Sequence, residues 1–543
     1  MKRSEIASKW FLSLAKVAPV FVRDATGLVR ELGSSDIFLW LFTFMGLFAY
    51  WPFTVCLLYF YGGGVGFYWP IVIGLGCLEA IIVVSAYSMA TIVMPRSGGT
   101  YVWTSRAMAP SVGFVTRFAW FITELNTTAS GAWFAAGWGL PVALGIMATY
   151  TGDKMYTNMA TWVADPMVST ILGIIFVVGT GVFIAVGIKW VRYATIFIAI
   201  VTWIPAIIYF WLLLTTTPAA FQASFDAVSK TSYAAVIQAA KTGGIVFAPS
   251  MAITFLVVPY MVWGTAQGTE EFTVMGGEIK RPHRSLLVGY GSYWIVHILL
   301  ISAMLVAGLA IFGEQFYASL NYLYWTGNAA YPFGTAEPTM HFLVGFLTNN
   351  PMIWGFFAFA IFIGSFDWIL VRIPYISREL FAWSFDRIAP EKLSSMNDRF
   401  GSPLTAVIIA ILGSCVFVPL YMYNWLGPFV NAFIVNWVCM AVWGLAIALI
   451  PYKKKDAFEA SPVGKYKIGG LPLMSVVGVA CTVSNILLLI ALIILPTYGA
   501  MLTQWVFTAA LFIAGTLLYF LVRSYRKKQG IDIEHILASI PPE

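Results

Sequence analysis

The sequence predicts an all-α protein that crosses a membrane many times, and three observations support this. First, 60% of the 543 residues are hydrophobic and only 10% are charged, whereas soluble domains carry about 25% charged residues. Second, apolar stretches close to the roughly 20 residues needed to cross the hydrocarbon core recur along the chain. Third, lysine and arginine are concentrated in alternate connecting segments, which is typical of polytopic proteins.

Twelve transmembrane helices are predicted, and they are called spans 1 to 12 below. Residues 1–36 are interpreted as a cytoplasmic N-terminal arm and residues 523–543 as a cytoplasmic tail. The connecting segments 215–246 and 313–350, both predicted to lie outside, are each expected to hold a short helix on the outer face. The approximate ranges of the twelve spans are 37–60, 68–93, 112–147, 166–188, 192–214, 247–275, 287–312, 351–384, 403–424, 428–451, 471–495 and 501–522.

The net charge of +7 reflects membrane topology and does not indicate nucleic-acid binding. With the N-terminus inside, 27 of the 31 lysines and arginines fall in cytoplasmic segments or their flanks. Three lie outside, namely Lys154, Lys230 and Lys241, and Arg372 lies within span 8. This asymmetry follows the positive-inside rule. It predicts a multi-pass protein of the cell membrane with both termini in the cytoplasm.

No metal or other cofactor is predicted. The histidines are scattered, without the H-E-x-x-H spacing of a zinc site. The cysteines all lie within predicted spans and lack metal-ligand spacing, so we interpret them as small buried apolar residues. They are Cys56, Cys77, Cys415, Cys439 and Cys481.

The order of the spans predicts an internal repeat. Spans 1–5 cover 37–214, spans 6–10 cover 247–451, and the last two spans cover 471–522. Because five is an odd number, a repeated five-span unit would be inverted in the membrane. Inverted repeats are typical of secondary transporters, which bind their substrate near the bilayer midplane where helices are interrupted.

The first span of each predicted half is interrupted by glycine and proline. Span 1 contains Gly46 and Pro52, and span 6 contains Pro259, Gly264 and Gly268. Glycine costs a helix about 1 kcal/mol and proline about 3 kcal/mol. A break at membrane depth is tolerated only where it lies inside the protein or lines a cavity. The two breaks are therefore predicted to lie beside a binding cavity.

Three stretches resemble the amino acid–polyamine–organocation (APC) superfamily of permeases. They are MPRSGGTYVWTSRAMAPSVGF from Met94 to Phe114, GGEIKRPHRSL at the end of span 6, and the segment from Ser377 to Val407 that begins SRELFAWSFDRIAP. Their order and spacing match the superfamily over most of the chain. The resemblance implies a LeuT-type fold of five plus five inverted helices followed by two more. It also implies alternating-access transport of amino acids, polyamines or related small amines.

The chain departs from the superfamily pattern at both breaks. Met45, Gly46 and Leu47 stand where relatives often carry G-S-G. The aromatic gate of span 6 must be supplied by Tyr260 or Trp263, and Tyr50 and Trp51, beside the span 1 break, are predicted as further gate residues. The substrate therefore need not be an ordinary α-amino acid.

The substrate site is expected to combine the two breaks with span 3, which lines the cavity in this fold. In span 3, the alternatives for Glu124 are substrate contact, a proton relay or hydrogen bonding between helices. Asn431 and Asn436 of span 10 are further polar candidates. The predicted substrate-binding residues are Met45, Gly46, Leu47, Trp263, Gly264, Thr265, Gln267, Gly268, Glu124 and Asn126.

Ion coupling is assigned to Glu270, Glu271, Asp367 and Arg372, because ionisable residues within spans are costly and usually functional. One of the two glutamates would orient a cationic amine or carry a proton; the alternative is that it caps the half-helix after the break. In relatives coupled to sodium, the ion lies between spans 1 and 8. Arg372 would replace that charge and make transport independent of sodium. The alternative is a structural ion pair of Arg372 with Asp367 or Glu124.

Two further glutamates are expected to be structural. Glu79 in span 2 has no polar neighbours at helical spacing, and His297 is the partner suggested for it. Glu278 is expected to pair with a lysine or arginine at the cytoplasmic mouth.

The sequence thus predicts a secondary active transporter of amino acids or related amines that is either coupled to protons or an exchanger. Its partners would be a small-molecule substrate, membrane lipid and protons, with no nucleic acid; the oligomeric state stays open. Two rival interpretations are weaker. An ion channel would need a filter-like sequence, and a membrane-embedded enzyme would need a nucleophile with a base, or metal ligands; neither is found.

Overall fold

The structure is a computed structural model of the 543-residue chain. Most of the predicted N-terminal arm lies outside the described residues, as do residues 45 and 47–49 after α1. Of Thr265 and Glu270, only the backbone is described. The described residues are 30–44, 46, 50–229, 231–265, 268, 270–334, 336–397, 400–427, 429–495 and 501–540.

The described residues of the first part of the chain form nine α-helices. A six-residue π-helix, Phe134–Gly139, joins α5 to α6, so that the two form one continuous span. The helices are α1 (Ser34–Phe44), α2 (Tyr50–Tyr61), α3 (Trp69–Val93), α4 (Gly99–Ala107), α5 (Pro110–Trp133), α6 (Leu140–Thr151), α7 (Lys154–Ala164), α8 (Pro166–Ala185) and α9 (Ile188–Thr215).

The second part begins with two short helices and contains the second break. Its helices are α10 (Pro218–Val228), α11 (Tyr233–Thr242), α12 (Met251–Leu256), α13 (Val258–Thr265), α14 (Pro282–Phe312), α15 (Glu314–Trp325), α16 (Pro351–Gly364), α17 (Asp367–Phe385), α18 (Leu404–Met422) and α19 (Ala432–Lys453). The C-terminal part adds α20 (Lys455–Ala460), α21 (Leu473–Ile494), α22 (Leu502–Lys528) and α23 (Ile533–Ala538).

Short 3₁₀-helices and strands complete the fold. The strands form two small sheets, β1 with β2 in parallel and β3 with β4 antiparallel. The 3₁₀-helices are Glu270–Val274, Gly276–Glu278, Phe342–Phe346, Glu391–Ser394 and Pro462–Lys465, and the strands are β1 (Val65–Gly66), β2 (Val246–Pro249), β3 (Lys467–Ile468) and β4 (Leu471–Pro472).

Ten helical stretches within the described residues are long and apolar enough to cross a membrane. They correspond to predicted spans 2–5 and 7–12. Spans 1 and 6 are instead represented by shorter apolar helices, Ser34–Phe44 and Met251–Gly264. The chain is therefore an all-α polytopic membrane protein, as predicted, while the count of twelve spans stays a prediction.

Both predicted interruptions are present. Span 1 is split into α1 and α2 around Gly46, whose φ is +49°. Span 6 is split after α13, and Gly268 in the gap has a φ of +87°. Positive φ is readily adopted only by glycine. The predicted outer segments also contain short helices, α10 and α11 in the first and α15 in the second.

One side of the bundle, called the arm face, gathers the residues before α1 with the C-terminal end of the chain. The backbone N–H groups of Glu31 and Leu32 donate to the carbonyl oxygen of Glu278, both at 3.0 Å. Nearby on the same side, Lys454 Nζ donates to the carbonyl oxygen of Ala538 at 2.7 Å. The sequence predicts that this face is cytoplasmic.

The opposite side, called the far face, is built from the loops that follow α2 and surround α15. There β1 pairs with β2, and Tyr59 Oη donates to Glu314 Oε1 at 3.0 Å. Tyr322 Oη donates to the carbonyl oxygen of Gly243 at 2.6 Å. These contacts tie the ends of α2, α11 and α15 together over the far ends of the spans.

α17 lies at the centre of the bundle and carries several of the predicted site residues. Every residue from Asp367 to Ser384 is buried. α5 packs beside it and is also largely buried, whereas α21 and α22 expose apolar side chains such as Ile493 and Leu521. An apolar outer surface on peripheral helices is what contact with lipid requires.

Candidate functional site

The two helix breaks meet at the centre of the bundle. A Cβ atom on Gly268 would overlap the ring of Phe44, the last residue of α1, and would come 3.2 Å from Arg372 Nη2. Gly264, one turn earlier on α13, packs just as closely against the side chain of Thr54 on α2. Glycine is thus required in span 6 both for its backbone conformation and for close approach to span 1 and α17.

Arg372 and Glu271 form an ion pair beside these breaks. The Arg372 side chain is fully buried and that of Glu271 is 2% exposed. Glu271 Oε1 also accepts a hydrogen bond of 2.7 Å from Trp120 Nε1. The sequence suggested Asp367 or Glu124 as the structural partner of Arg372, but the partner is Glu271, which lies about one turn beyond the break.

Aromatic rings surround the Arg372 guanidinium. Its Cζ atom lies 5.4 Å from the ring centroid of Phe44, 5.5 Å from Trp368 and 5.9 Å from Trp120. Rings at this distance stabilise a cation through their quadrupoles, and they also keep water away from the ion pair. The positive charge is therefore held at the contact between α1, the span 6 break and α17.

Asp367 begins α17 and is fully buried close to Thr43, near the end of α1. Neither of its carboxylate oxygens has a hydrogen-bond partner among the described residues. Residues 45 and 47–49, which follow α1, lie outside that part of the chain. Asp367 is therefore placed at the span 1 break, but it is not the partner of Arg372.

Glu124 belongs to a second charged cluster, one layer nearer the arm face. Its Oε1 atom lies 2.9 Å from Arg117 Nη2, and Glu379 Oε1 lies 2.6 Å from Arg117 Nε. All three side chains are 1% exposed or less. Arg117 also lies over the ring of Trp443, with 5.5 Å between Cζ and the centroid. Glu124 thus pairs with a cation of its own helix and does not line the cavity described next.

A cavity of about 580 Å³ reaches from the far face toward the breaks. Its rim includes the exposed residues Asn424, Gly427 and Met501, and its deep end includes the buried residues Tyr50 and Trp368. The remaining lining residues are Phe53, Thr54, Leu57, Phe60, Tyr61, Asn126, Thr127, Ser130, Trp133, Phe134, Tyr260, Trp263, Trp325, Tyr421, Leu426, Val430, Asn431, Ala432, Phe433 and Gln504. None of the described lining residues is an acid or a base.

Trp368 separates the cavity from the buried ion pair. Its ring centroid lies 4.5 Å from that of Tyr50 and 5.6 Å from that of Phe134, and these three rings form the floor of the cavity. Trp368 also stacks on Phe44, with 5.6 Å between the ring centroids, and its ring contacts the Arg372 guanidinium. A single layer of aromatic rings therefore separates the cavity from the charged centre.

A model of the family described as amino acid permease matches residues 44–519. The chain belongs to this family. It is accordingly an amino acid permease of the APC superfamily and a multi-pass membrane protein, as the sequence motifs predicted. The search of individually curated proteins gave no match.

The arm face of the permease is closed by buried ion pairs. Arg378 Nε and Nη2 lie 2.8 and 3.0 Å from the two carboxylate oxygens of Glu278. Arg106 Nη2 lies 2.8 Å from Asp386, which also accepts a 2.8 Å hydrogen bond from Tyr101 Oη. The expectation that Glu278 pairs with a basic residue is confirmed. The cavity that adjoins Asp386 on this side is small, about 20 Å³, and its lining includes Ser97 and Phe385.

Two predicted substrate residues of the permease, Asn126 and Trp263, line the cavity, as does Asn431. Gly264 and Gly268 lie in the helix contacts described above. Asn436 instead turns its amide toward Met440 Sδ at 3.4 Å. The predictions for Met45, Leu47 and Gln267, and for the side chains of Thr265 and Glu270, lie outside the described residues.

Glu79 and His297 do not form the suggested contact in the permease. Glu79 Oε1 accepts a hydrogen bond of 3.0 Å from Asn485 Nδ2 of α21. His297 packs in a ring cluster, with its centroid 5.0 Å from that of Tyr293 and 5.9 Å from that of Trp294. Both residues are buried between helices, which supports the structural role expected for Glu79.

Several residues of this centre were missed or given no role by the sequence prediction. Arg117 lies within predicted span 3 and was assigned no role, and Glu379 lies inside the motif SRELFAWSFDRIAP, which was used only for the family resemblance. Two adjacent charges, Arg378 and Glu379, near the end of span 8 were the available signal. Trp368 gave no signal, because an aromatic residue in a span usually packs against lipid or protein.

Proposed function

We propose that this permease is a secondary active transporter that carries an amino acid or related amine across the cell membrane by alternating access. The observation that supports it most directly is the asymmetry of the centre. A cavity reaches from the far face to Trp368, just above the two breaks, while buried ion pairs close the arm face. A binding site at broken helices, open to one side at a time, is what alternating access requires.

The substrate would bind at the cavity floor, with its charged groups at the two helix breaks and its side chain in the cavity. Its amine would contact backbone carbonyl groups released at the breaks around Gly46 and Gly268, and its carboxylate would face the N-terminal end of a half-helix. Its side chain would occupy the cavity, with Asn126 and Trp263 as contacts that both the sequence and the geometry favour. For this pose, Trp368 and the neighbouring rings must move aside as the substrate descends.

The chemistry of the cavity favours substrates whose side chain carries no negative charge. The described lining consists of aromatic and aliphatic side chains with a few amides and hydroxyls. A carboxylate in the side chain would lose its hydration without gaining a counter-ion, which is costly. Neutral side chains bury apolar area against these rings, and cationic side chains are stabilised by the ring faces.

Arg372 supports a transport cycle that does not use sodium. Its guanidinium lies between Phe44 at the end of α1 and the body of α17, which is span 8. A fixed positive charge there would stabilise the same helix contact that a sodium ion stabilises in coupled relatives. Transport would then be coupled to protons, or the protein would exchange one substrate for another.

Switching between the two open states requires two sets of contacts to change. Opening the arm face requires the pairs Glu278–Arg378 and Arg106–Asp386 to separate. Closing the far face would use the aromatic residues around the rim, where Trp263 already lies 4.1 Å from Phe433 between ring centroids. In this proposal the arm face is cytoplasmic, with both termini there, and the twelve spans form the LeuT-type arrangement of five plus five helices followed by two.

Counterflow into proteoliposomes tests the proposed function. Vesicles containing the permease are preloaded with pools of amino acids or polyamines, and uptake of a labelled member of each pool is followed with and without proton and sodium gradients. We expect saturable counterflow of at least one pool that does not depend on sodium. Uptake that never saturates, or single-channel current in a planar bilayer, would instead show a channel.

A further inference from the structure

The Arg117 cluster contains more acid than base, and all of it is buried. Arg117 contacts Glu124 at 2.9 Å and Glu379 at 2.6 Å, each through one carboxylate oxygen. The other oxygen of each carboxylate has no donor among the described residues. Because the two contacts are made by Nη2 and Nε of the same guanidinium, the two carboxyl groups lie close to each other. One guanidinium therefore holds two neighbouring carboxyl groups.

Among the described residues, no neighbouring group supplies the missing positive charge. From neighbouring elements, the titratable groups that interact with the cluster are Glu271 in the 3₁₀-helix after the break, Arg372 on α17 and Cys439 on α19. Glu271 and Arg372 neutralise each other, and the Cys439 thiol donates to the Thr116 carbonyl oxygen at 3.3 Å. With every carboxyl ionised, this part of the centre would carry one unpaired negative charge. An unpaired charge without contact with water is strongly destabilising.

We propose that Glu124 and Glu379 share one proton and together form the proton-binding site of the permease. One proton between the two free oxygens removes the excess charge and satisfies both groups. Two carboxyl groups too close to ionise together titrate as a pair, and the proton belongs to both. Arg117 keeps the second negative charge neutral, so the pair binds one proton and not two.

The position of the pair links the proton to the switch, and this link rests on the proposed transport function. Glu379 adjoins Arg378, which closes the arm face through Glu278, and Glu124 lies close enough to Glu271 to interact with it electrostatically. Loss of the proton would leave an unpaired negative charge on the helix segment that carries Arg378 and so disturb the contact between Arg378 and Glu278. Proton release would therefore accompany opening of the arm face.

Infrared spectroscopy of the purified full-length protein tests the shared proton without requiring transport. Difference spectra between wild type and Glu124→Gln, Glu379→Gln and the double variant report the carboxylic acid C=O band at neutral pH. Glutamine keeps the shape of the protonated acid, so each variant is expected to fold. Each single variant should lose the same band, and the double variant should lose no more than either single variant. The control, Glu278→Gln, removes a carboxylate that has its own arginine and should lose no acid band.

Transport assays then separate this proposal from the proposed function. In Glu379→Gln we expect accumulation driven by a proton gradient to be lost. Unchanged proton-driven accumulation together with an unchanged acid band would overturn the proposal. If wild type shows no counterflow, the proposed function fails, but the infrared bands still decide whether the two glutamates share a proton. Loss of two separate acid bands in the double variant would overturn the sharing.

Discussion

Arg372 of α17 and Glu271 of the broken span 6 form an ion pair inside the protein, although they lie 101 positions apart along the chain. The pair fixes the interrupted segment to α17, which is almost entirely buried. Trp120 donates to Glu271 from a third element, α5. The break is therefore held by charge as well as by packing, and a change in either partner should affect both the shape and the function of the centre.

Substitution of Arg372 by alanine should abolish transport or make it depend on sodium. Removal of one partner from a buried pair typically costs about 3–5 kcal/mol, because the other charge is left uncompensated. Here Glu271 would be left, and a sodium ion is the simplest replacement. Initial uptake rates with and without sodium provide the measurement, and Arg387→Ala, which breaks a more exposed pair with Glu391, is the control. Uptake of Arg372→Ala equal to wild type and indifferent to sodium would exclude this role.

Gly268→Ala should impair transport strongly. The φ of +87° is unfavourable for alanine, and the new methyl group would overlap the ring of Phe44. Strain of this kind costs of the order of 1–3 kcal/mol before any packing change. Gly355→Ala is the matched control, because nothing lies within 4 Å of its Cβ position on α16. Transport by Gly268→Ala at the level of this control would show that the break tolerates a side chain.

Acidic amino acids should compete for transport less well than their amides. Glutamate and glutamine have the same shape, as do aspartate and asparagine, so each pair isolates the effect of one negative charge. The uncharged lining of the cavity predicts that neither acid inhibits counterflow of the labelled substrate more strongly than its amide. The measurement is the inhibition constant of each competitor. An acid that inhibits as well as or better than its amide would contradict the proposed lining of the substrate path.

The stability of the far-face loops should fall as the pH rises through the neutral range. Burial raises the pKa of the Glu337 carboxyl, in the loop before α16, to about 8, even though Trp138 Nε1 donates to it. The other polar groups near it are Cys56, Tyr324 and Tyr331. The folded protein therefore binds a proton that the unfolded chain has lost above its ordinary pKa of about 4.3. This stabilisation is complete below the unfolded pKa and is lost as the pH rises to about 8,.

Thermal unfolding in detergent between pH 5 and pH 9 measures this effect, which can reach the order of 5 kcal/mol. Glu337→Gln cannot ionise and should show a flatter dependence of the melting temperature on pH. Glu459→Gln, at an exposed position on the arm face, should keep the wild-type slope. The same slope in Glu337→Gln as in wild type would show that another group titrates.

Sequence patterns predicted the architecture of the permease better than the partners within its centre. Composition, charge asymmetry and paired glycine breaks were enough for the membrane class and the two interruptions, since these depend on local sequence. The partners of Arg372 and of Arg117 lie 101 and 262 residues away along the chain. Such contacts depend on how helices rotate against one another, which periodicity does not determine when a helix is apolar on every side.

The aromatic floor illustrates the same limit. Tyr50, beside the first break, was predicted as a gate and lines the cavity. Trp51 was predicted equally, but it is buried away from the cavity lining. Which of these two adjacent rings lines the cavity depends on how α2 is rotated about its own axis, since neighbouring residues on a helix point about 100° apart. The sequence pattern does not give that rotation.

The most direct test of the account is sided labelling of two single cysteines in a variant that lacks the five native cysteines and retains counterflow. Ser130→Cys lies in the far-face cavity, and Ser97→Cys lies behind the arm-face ion pairs, next to Gly277. We predict that a membrane-impermeant thiol reagent labels the first from the far side and the second from the arm side, and that substrate conditions which increase one reactivity decrease the other. Simultaneous high reactivity of both cysteines, or a Ser97→Cys that stays unreactive under every substrate condition, would contradict alternating access.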